Sequence, residues 1–194
     1  FEICEQMDWQ VPDWVAVSVG DGCTIAGVWK GFREMKAIGL IGRTPRMLGV
    51  QAEGAAPVSA SFRSGQPLET IDARTIADSI AVGAPRNWRK AIRSVRESGG
   101  TMIDVGDDEI LEAMRYTGRL AGVFAEPAAG AAVAGLRRAV QEGIVSRRAS
   151  ALALITGNGL KDVRAARCAV GDPFDIAPDG AGLEEILKER GLAG

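Results

Sequence analysis

Short apolar runs alternate with helical patterns along most of this chain. Residues 14–19 (Trp-Val-Ala-Val-Ser-Val), 47–52 (Met-Leu-Gly-Val-Gln-Ala), 101–105 (Thr-Met-Ile-Asp-Val) and 151–155 (Ala-Leu-Ala-Leu-Ile) have strand length, and their apolar content predicts buried strands. Between the first two, Ile25, Val28, Trp29, Phe32, Met35 and Ala37 recur near helical spacing and predict a helix over residues 25–38. Residues 88–97 predict an amphipathic helix. Asp107 and Asp108 are placed to cap another that runs to about Leu120. Residues 128–141 form a small-residue helix suited to tight packing on a sheet, residues 183–190 a last helix, and residues 1–7 the end of a helix already under way.

Residues 54–85 are rich in Gly, Pro, Ser and Ala and poorly periodic. They predict a long irregular connection with one short helix near residues 75–80. Strands alternating with helices imply an α/β fold, an open and mostly parallel sheet with helices on both faces. Pro173, Pro178 and the glycines around them divide the chain into a sheet-containing part, residues 1–172, and a linker with the last helix, residues 173–194.

Composition narrows the chemistry. With 194 residues, 46% of them hydrophobic, the chain has enough material for one cored domain. A net charge of −2, from 23 basic and 25 acidic residues, gives no electrostatic case for nucleic acid or an anionic membrane. Arg86, Arg89, Lys90, Arg93 and Arg96 cluster in one segment and read as a solvated helix face. There is no histidine, which removes His-dependent nucleophilic catalysis and His-based metal sites, and no metal site is expected. Three widely spaced cysteines describe neither a disulfide framework nor a zinc site, and a cytoplasmic location is the expectation. No apolar run reaches membrane-spanning length.

Two glycine-bearing loops follow strands, where open parallel sheets hold their ligands. Gly20-Asp21-Gly22-Cys23-Thr24 leads from the first strand into the first long helix. Glycines let the backbone approach an anion, and a helix start offers free N–H groups and the positive end of its dipole. From spacing alone, this is equally a phosphate cradle or a tight turn with Thr24 as helix cap. The pattern lacks the third close glycine of a dinucleotide fingerprint, but Glu53 ends the next strand where such a domain keeps its ribose-binding acid, so a nucleotide-binding module stays in contention. Thr156-Gly157-Asn158-Gly159-Leu160-Lys161-Asp162 follows the fourth strand. A hydroxyl with two glycines behind it suits a flat ring lying against backbone, and a glycine turn explains it as well.

Taken in order, four segments resemble the threonine synthases, a family of fold-type II (tryptophan synthase β-like) pyridoxal-phosphate (PLP) enzymes. They are Gly20–Thr24 with the following Ala26-Gly27-Val28-Trp29-Lys30-Gly31-Phe32, then Gly49-Val50-Gln51-Ala52-Glu53-Gly54, then Ala125-Glu126-Pro127-Ala128-Ala129-Gly130-Ala131, and the Thr156–Asp162 loop. The resemblance runs from residue 1 to about 167. It implies that Gly20, Asp21, Gly22, Cys23 and Thr24 hold the PLP phosphate, that Thr156 hydrogen-bonds the pyridine nitrogen and leaves it largely unprotonated, and that Glu126 lies near ring or substrate, although a plain helix N-terminal carboxylate explains Glu126 equally well. Residues 73–87 resemble a substrate-side loop of that family. Many relatives carry asparagine at the positions of Asp21 and Thr24, and often histidine at that of Asn158. A carboxylate beside a phosphate is repelled unless Asp21 points away.

The family's chemistry needs a lysine that forms a Schiff base with the cofactor. Lys30, Lys36, Lys90, Lys161 and Lys188 all lack the motif that carries it, which in the family lies well before the phosphate loop. The resemblance therefore implies a fragment of a longer lyase: residues 1–172 as the C-terminal part of the large PLP domain, inactive alone, partnered by the N-terminal part of the same enzyme and expected as a homodimer. The implied reaction converts O-phospho-L-homoserine and water to L-threonine and phosphate; threonine or serine dehydration is the alternative within the same fold.

Overall fold

The structure, a computed structural model, describes residues 1–191; the last three residues of the expected terminal segment, 192–194, lie outside the described residues. Four strands, β1 (Trp14–Ser18), β2 (Arg46–Ala52), β3 (Thr101–Val105) and β4 (Ala151–Ala153), form one sheet in the order β3-β2-β1-β4, with every pairing parallel. Trp14 lies opposite both Arg46 and Ala151, so β1 is the central register mark. All five β1 residues are buried, as are six of the seven in β2, because helices cover both faces of the sheet. On one face Val15, Val17 and Met47 pack with Ile25, Trp29 and Phe32 of α2 (Cys23–Ala37) and with Ala91, Ile92 and Val95 of α4 (Trp88–Glu97). On the other, Ala16, Leu48, Val50 and Ile103 pack with α5 (Asp107–Ala121) and α6 (Pro127–Gln141). This is the open parallel α/β sheet that the alternation of patterns predicts.

Three details depart from the sequence reading. β4 ends at Ala153, although Leu154 N–H still donates to Ala16 O at 3.0 Å. The segment 54–85 contains a real helix, α3 (Pro57–Ser64), and only a 3-10 turn at Asp78–Ile80. α3 has Pro57 at its start, and its buried face includes Val58, Ser59 and Ser61, so it carries too few large apolar residues to show a period. The fully buried Gln51 anchors it: Ser59 N–H donates to Gln51 Oε1 at 2.8 Å while Gln51 Nε2 donates to Val19 O at 3.0 Å, which also ties down the end of β1. A further helix, α7 (Val163–Val170), follows the last glycine loop, capped by Asp162 accepting from Ala165 N–H at 2.9 Å. Glu2–Gln6 (α1) and Leu183–Glu189 (α8) complete the elements, and α8 buries no residue.

The small-residue helix α6 has more buried residues than any other helix described. Nine of its fifteen residues are buried, and apart from Pro127 all nine are Ala or Gly. At Gly135 a Cβ would collide with both methyls of Val50, so the backbone of α6 rests directly on β2. Gly135→Ala is expected to destabilise the full-length protein by about 1–3 kcal/mol in urea or thermal melts. Gly27→Ala, on the exposed side of α2 with no atom near its new methyl, is expected to be neutral or to stabilise by ~0.4–1 kcal/mol. Equal effects of the two changes would remove close packing as the explanation.

Candidate active site

The carboxyl ends of β1 and β4 open into a cleft of about 290 Å³. It brings together all seven residues singled out above: Gly20, Asp21, Gly22, Cys23, Thr24, Glu126 and Thr156, with Ser18, Ser79 and Lys161 beside them. Larger grooves of about 420 and 640 Å³ run beside Trp29 and Glu97 on α2 and α4, but no strand-end loop reaches either one.

Gly22 caps α2 with φ +92°, a left-handed conformation that glycine adopts without strain, and it has no side chain to bond the helix N–H groups. No acidic residue occupies the first turn. The amides at this helix start therefore keep their capacity for an anion. Thr24 lies inside the first turn and is not its cap; its hydroxyl is exposed and bonds nothing among the described residues. Both glycines are required by their neighbours. A Cβ on Gly20 would lie 3.1 Å from Ile80 Cα, and one on Gly22 would lie 3.0 Å from Asn87 O and Ala91 Cβ.

Asp21 points away from the cradle. Its carboxylate accepts from Arg86 N–H at 2.7 Å and from the Arg86 guanidinium at 3.1 and 3.2 Å. The backbone N–H of Arg86, and then its side chain, hold this carboxyl below the usual carboxylate range. Asn87 N–H donates to Asp21 O at 3.0 Å and Asn87 Nδ2 to Cys23 Sγ at 2.9 Å, so residues 86–87 brace the whole loop from outside. What Asp21 offers an anion is its backbone. Arg86, whose spacing placed it on a solvated helix face, instead precedes α4 and serves as this brace.

On the opposite wall, Glu126 is 5% exposed and precedes α6 without capping it. Its carboxylate turns into the cleft, accepts from Ser79 Oγ at 3.2 Å and pairs with Lys161 Nζ at 3.1 Å. The loop carrying Thr156 is stitched to the residues before α6: Glu126 N–H donates to Gly157 O at 3.0 Å and Gly159 N–H to Phe124 O at 2.9 Å. A Cβ on Gly157 would strike the Glu126 carboxylate, and one on Gly159 the Phe124 ring. Protein packing by itself therefore requires both glycines. Asn158 accepts from Leu160 N–H at 2.9 Å and shapes the turn. The Thr156 hydroxyl is exposed at the cleft and bonds nothing among the described residues. Glu53 is elsewhere, 3.2 Å from Arg138, which also pairs with Glu109 at 2.5 Å. An acid neutralised in an ion-pair cluster outside the cleft is not poised for a ribose, and the nucleotide-binding reading loses its acid.

Comparison with known proteins bears on the family and the fold. Residues 1–157 match a family described as pyridoxal-phosphate dependent enzymes. The chain is 42% identical over 191 residues to a threonine synthase of Methanocaldococcus jannaschii, covering 97% of this chain and 47% of that protein. It is 44% identical over 194 residues to one of Synechocystis, covering 99% and 48%. It spans about half the length of the curated relatives it matches. Among solved structures it resembles a threonine deaminase from T.th. (TM-score 0.60, 26% identity, 80% of this chain and 52% of that one) and, in fold alone, the processed threonine deaminase isoform 2 of Solanum lycopersicum (TM-score 0.70, 22% identity, 87% and 46%).

The Asp21–Arg86 brace makes a pH-dependent prediction. Because the folded-state pKa of Asp21 lies below its unfolded value near 3.9, its stabilising contribution is fully present above about pH 4 and is lost as pH falls through the folded value. Asp21→Asn keeps an acceptor for Arg86 N–H and removes the charge. It should destabilise slightly at pH 7, Arg86 being largely exposed, and approach wild type in chemical denaturation as pH falls below about 4 and through the folded value. A difference of constant size across that range would exclude the ion pair as its origin.

Proposed function

The chain belongs to the pyridoxal-phosphate-dependent enzyme family, and on that footing we propose that it is the cofactor-clamping portion of a threonine synthase. The whole protein would convert O-phospho-L-homoserine and water to L-threonine and phosphate. One observation carries this reading: an uncapped helix start with glycines at its mouth faces a free threonine hydroxyl across a single cleft.

The residues present fit the group. Its phosphate would be held by the backbone amides of Gly20–Thr24 and the Thr24 hydroxyl, at the positive end of α2. The Asp21 charge is taken up by Arg86, which removes the repulsion that a carboxylate in this loop would otherwise bring. Thr156 would hydrogen-bond the ring nitrogen from the end of β4. When bound, pyridoxal phosphate supplies an electron-withdrawing ring for charge that develops on an amino-acid substrate. The chain's own part is to bind, orient and shield. Ser79 lies in the part of the chain that resembles a substrate-side loop, and its place at the cleft supports a substrate arriving from that side.

Identities of 42–44% to threonine synthases, against 26% to the threonine deaminase, favour the synthase reaction. The deaminase likeness in structure makes dehydration of threonine or serine the second reading. We place residues 1–172 in the large cofactor domain and residues 173–194 in a linker and terminal helix, and we place the lysine that holds the cofactor covalently outside this chain. A cytoplasmic homodimer completes the proposal; no helix of the described residues is long and apolar enough to cross a membrane.

Full-length protein supplied with pyridoxal phosphate should release phosphate from O-phospho-L-homoserine and form threonine; ammonia release from threonine as the faster reaction would move the assignment to the dehydratases. Thr156→Val removes one hydrogen bond, roughly 0.5–1.5 kcal/mol net. It should therefore reduce turnover more than cofactor retention. A folded Thr156→Val protein that has lost all cofactor would assign Thr156 a different role.

A further inference from the structure

Among the residues lining the cleft, Lys161 is the one cation, and nothing in the proposed chemistry uses it. Its ammonium closes a triangle: 2.6 Å to Ser79 Oγ, 3.1 Å to Glu126 Oε2, with Ser79 Oγ donating to the same carboxylate oxygen at 3.2 Å. The three corners come from distant parts of the chain. Ser79 belongs to the Asp78–Ile80 turn, Glu126 to the start of α6, and Lys161 to a 3-10 turn, Gly159–Asp162, five residues beyond Thr156.

We infer that Lys161 is a positioning residue that fixes the spacing between the phosphate loop and Thr156, and that it does so as the counter-charge of the buried Glu126. This rests on the pyridoxal-phosphate reading of the cleft. The connection to the phosphate loop runs through Ser79. Gly20 packs so closely on that turn that a Cβ there would lie 3.3 Å from Ser79 O. The connection to Thr156 runs through Glu126, whose side chain lies on Gly157 and whose N–H bonds Gly157 O. The two ligand-holding loops thus meet at one ammonium group.

Charge gives Lys161 a role that a neutral brace lacks. The Glu126 side chain is 6% exposed, and the Lys161 side chain, 60% exposed, is its partner from the solvent side. A carboxylate shut away from water is costly when it loses its counter-ion. Without Lys161, Glu126 has one hydroxyl donor left, and its best response is to swing toward solvent, which would release Gly157 and with it Thr156.

The test is a mutant cycle in the full-length protein, with Lys161→Met, Lys161→Arg, Glu126→Gln and the Lys161→Met/Glu126→Gln pair. Pyridoxal phosphate affinity is measured by spectroscopic titration and thermal midpoints are measured without cofactor. Lys161→Met should weaken cofactor binding by roughly 5–30-fold, between the effects of an exposed and a fully buried pair, and should lower the midpoint. Lys161→Arg should stay near wild type. The double variant should recover most of both losses, because a neutral amide needs no counter-charge; a merely space-filling lysine gives no such recovery. Lys161→Met equal to wild type in both measurements, or a double variant no better than Lys161→Met, overturns the inference. If the wild-type protein takes up no pyridoxal phosphate, the reading of the cleft fails on its own, and the cofactor-free midpoints still decide the coupling of Lys161 to Glu126.

Discussion

The close seating of α6 on the sheet is the contact on which the rest of the molecule depends. A helix of alanines and glycines buries little area per residue, so it gains by proximity what it lacks in bulk. Gly135 lets it rest on Val50 of β2, and Gly130 lets α5 approach, where a Cβ would lie 3.1 Å from Met114 Cγ. With its axis fixed by both partners, its first residues are fixed as well. Glu126 is therefore held at the cleft, and the segment before it becomes a template to which the last glycine loop is stitched. One packing choice in the core thus sets the geometry of one wall of the site.

The strands and long helices were legible because burial on two faces writes itself into the local sequence: β1 is apolar almost throughout, and α2 repeats its apolar residues at helical spacing. The glycine loops were legible for a similar reason, since a turn at a helix start needs specific residues in sequence. α3 was not legible, because its buried serines and its anchor on Gln51 belong to no period. The same limit applies at the site. Ser79 meets Glu126 across 47 positions of sequence, Lys161 meets Ser79 across 82, and Arg86 meets Asp21 across 65. Pairings of that range are made by topology, and no window along the chain contains both partners.

The basic segment illustrates how a blander reading divides on closer view. Arg89 lies over the Trp88 ring at 4.5 Å and Arg96 over Phe62 at 5.6 Å, so these two spend their charge on aromatic faces. Arg86, only a few residues earlier, is committed to the loop of the site. Asp21 and Arg86 together explain how a carboxylate stands in a loop suited to an anion. The charge is real, but it is exported to the outer side of the loop.

The position of Cys23 has a practical side. Of the three thiols, Cys4 is buried while Cys23 and Cys168 are exposed, and only Cys23 lies in the cradle. This stretch of chain thus places two exposed thiols in different settings, one in the glycine loop and one on α7. Cys23, its Sγ tied to Asn87, reports on the brace of the glycine loop, while Cys168, on α7 and outside the cleft, offers a second exposed thiol of this chain for comparison.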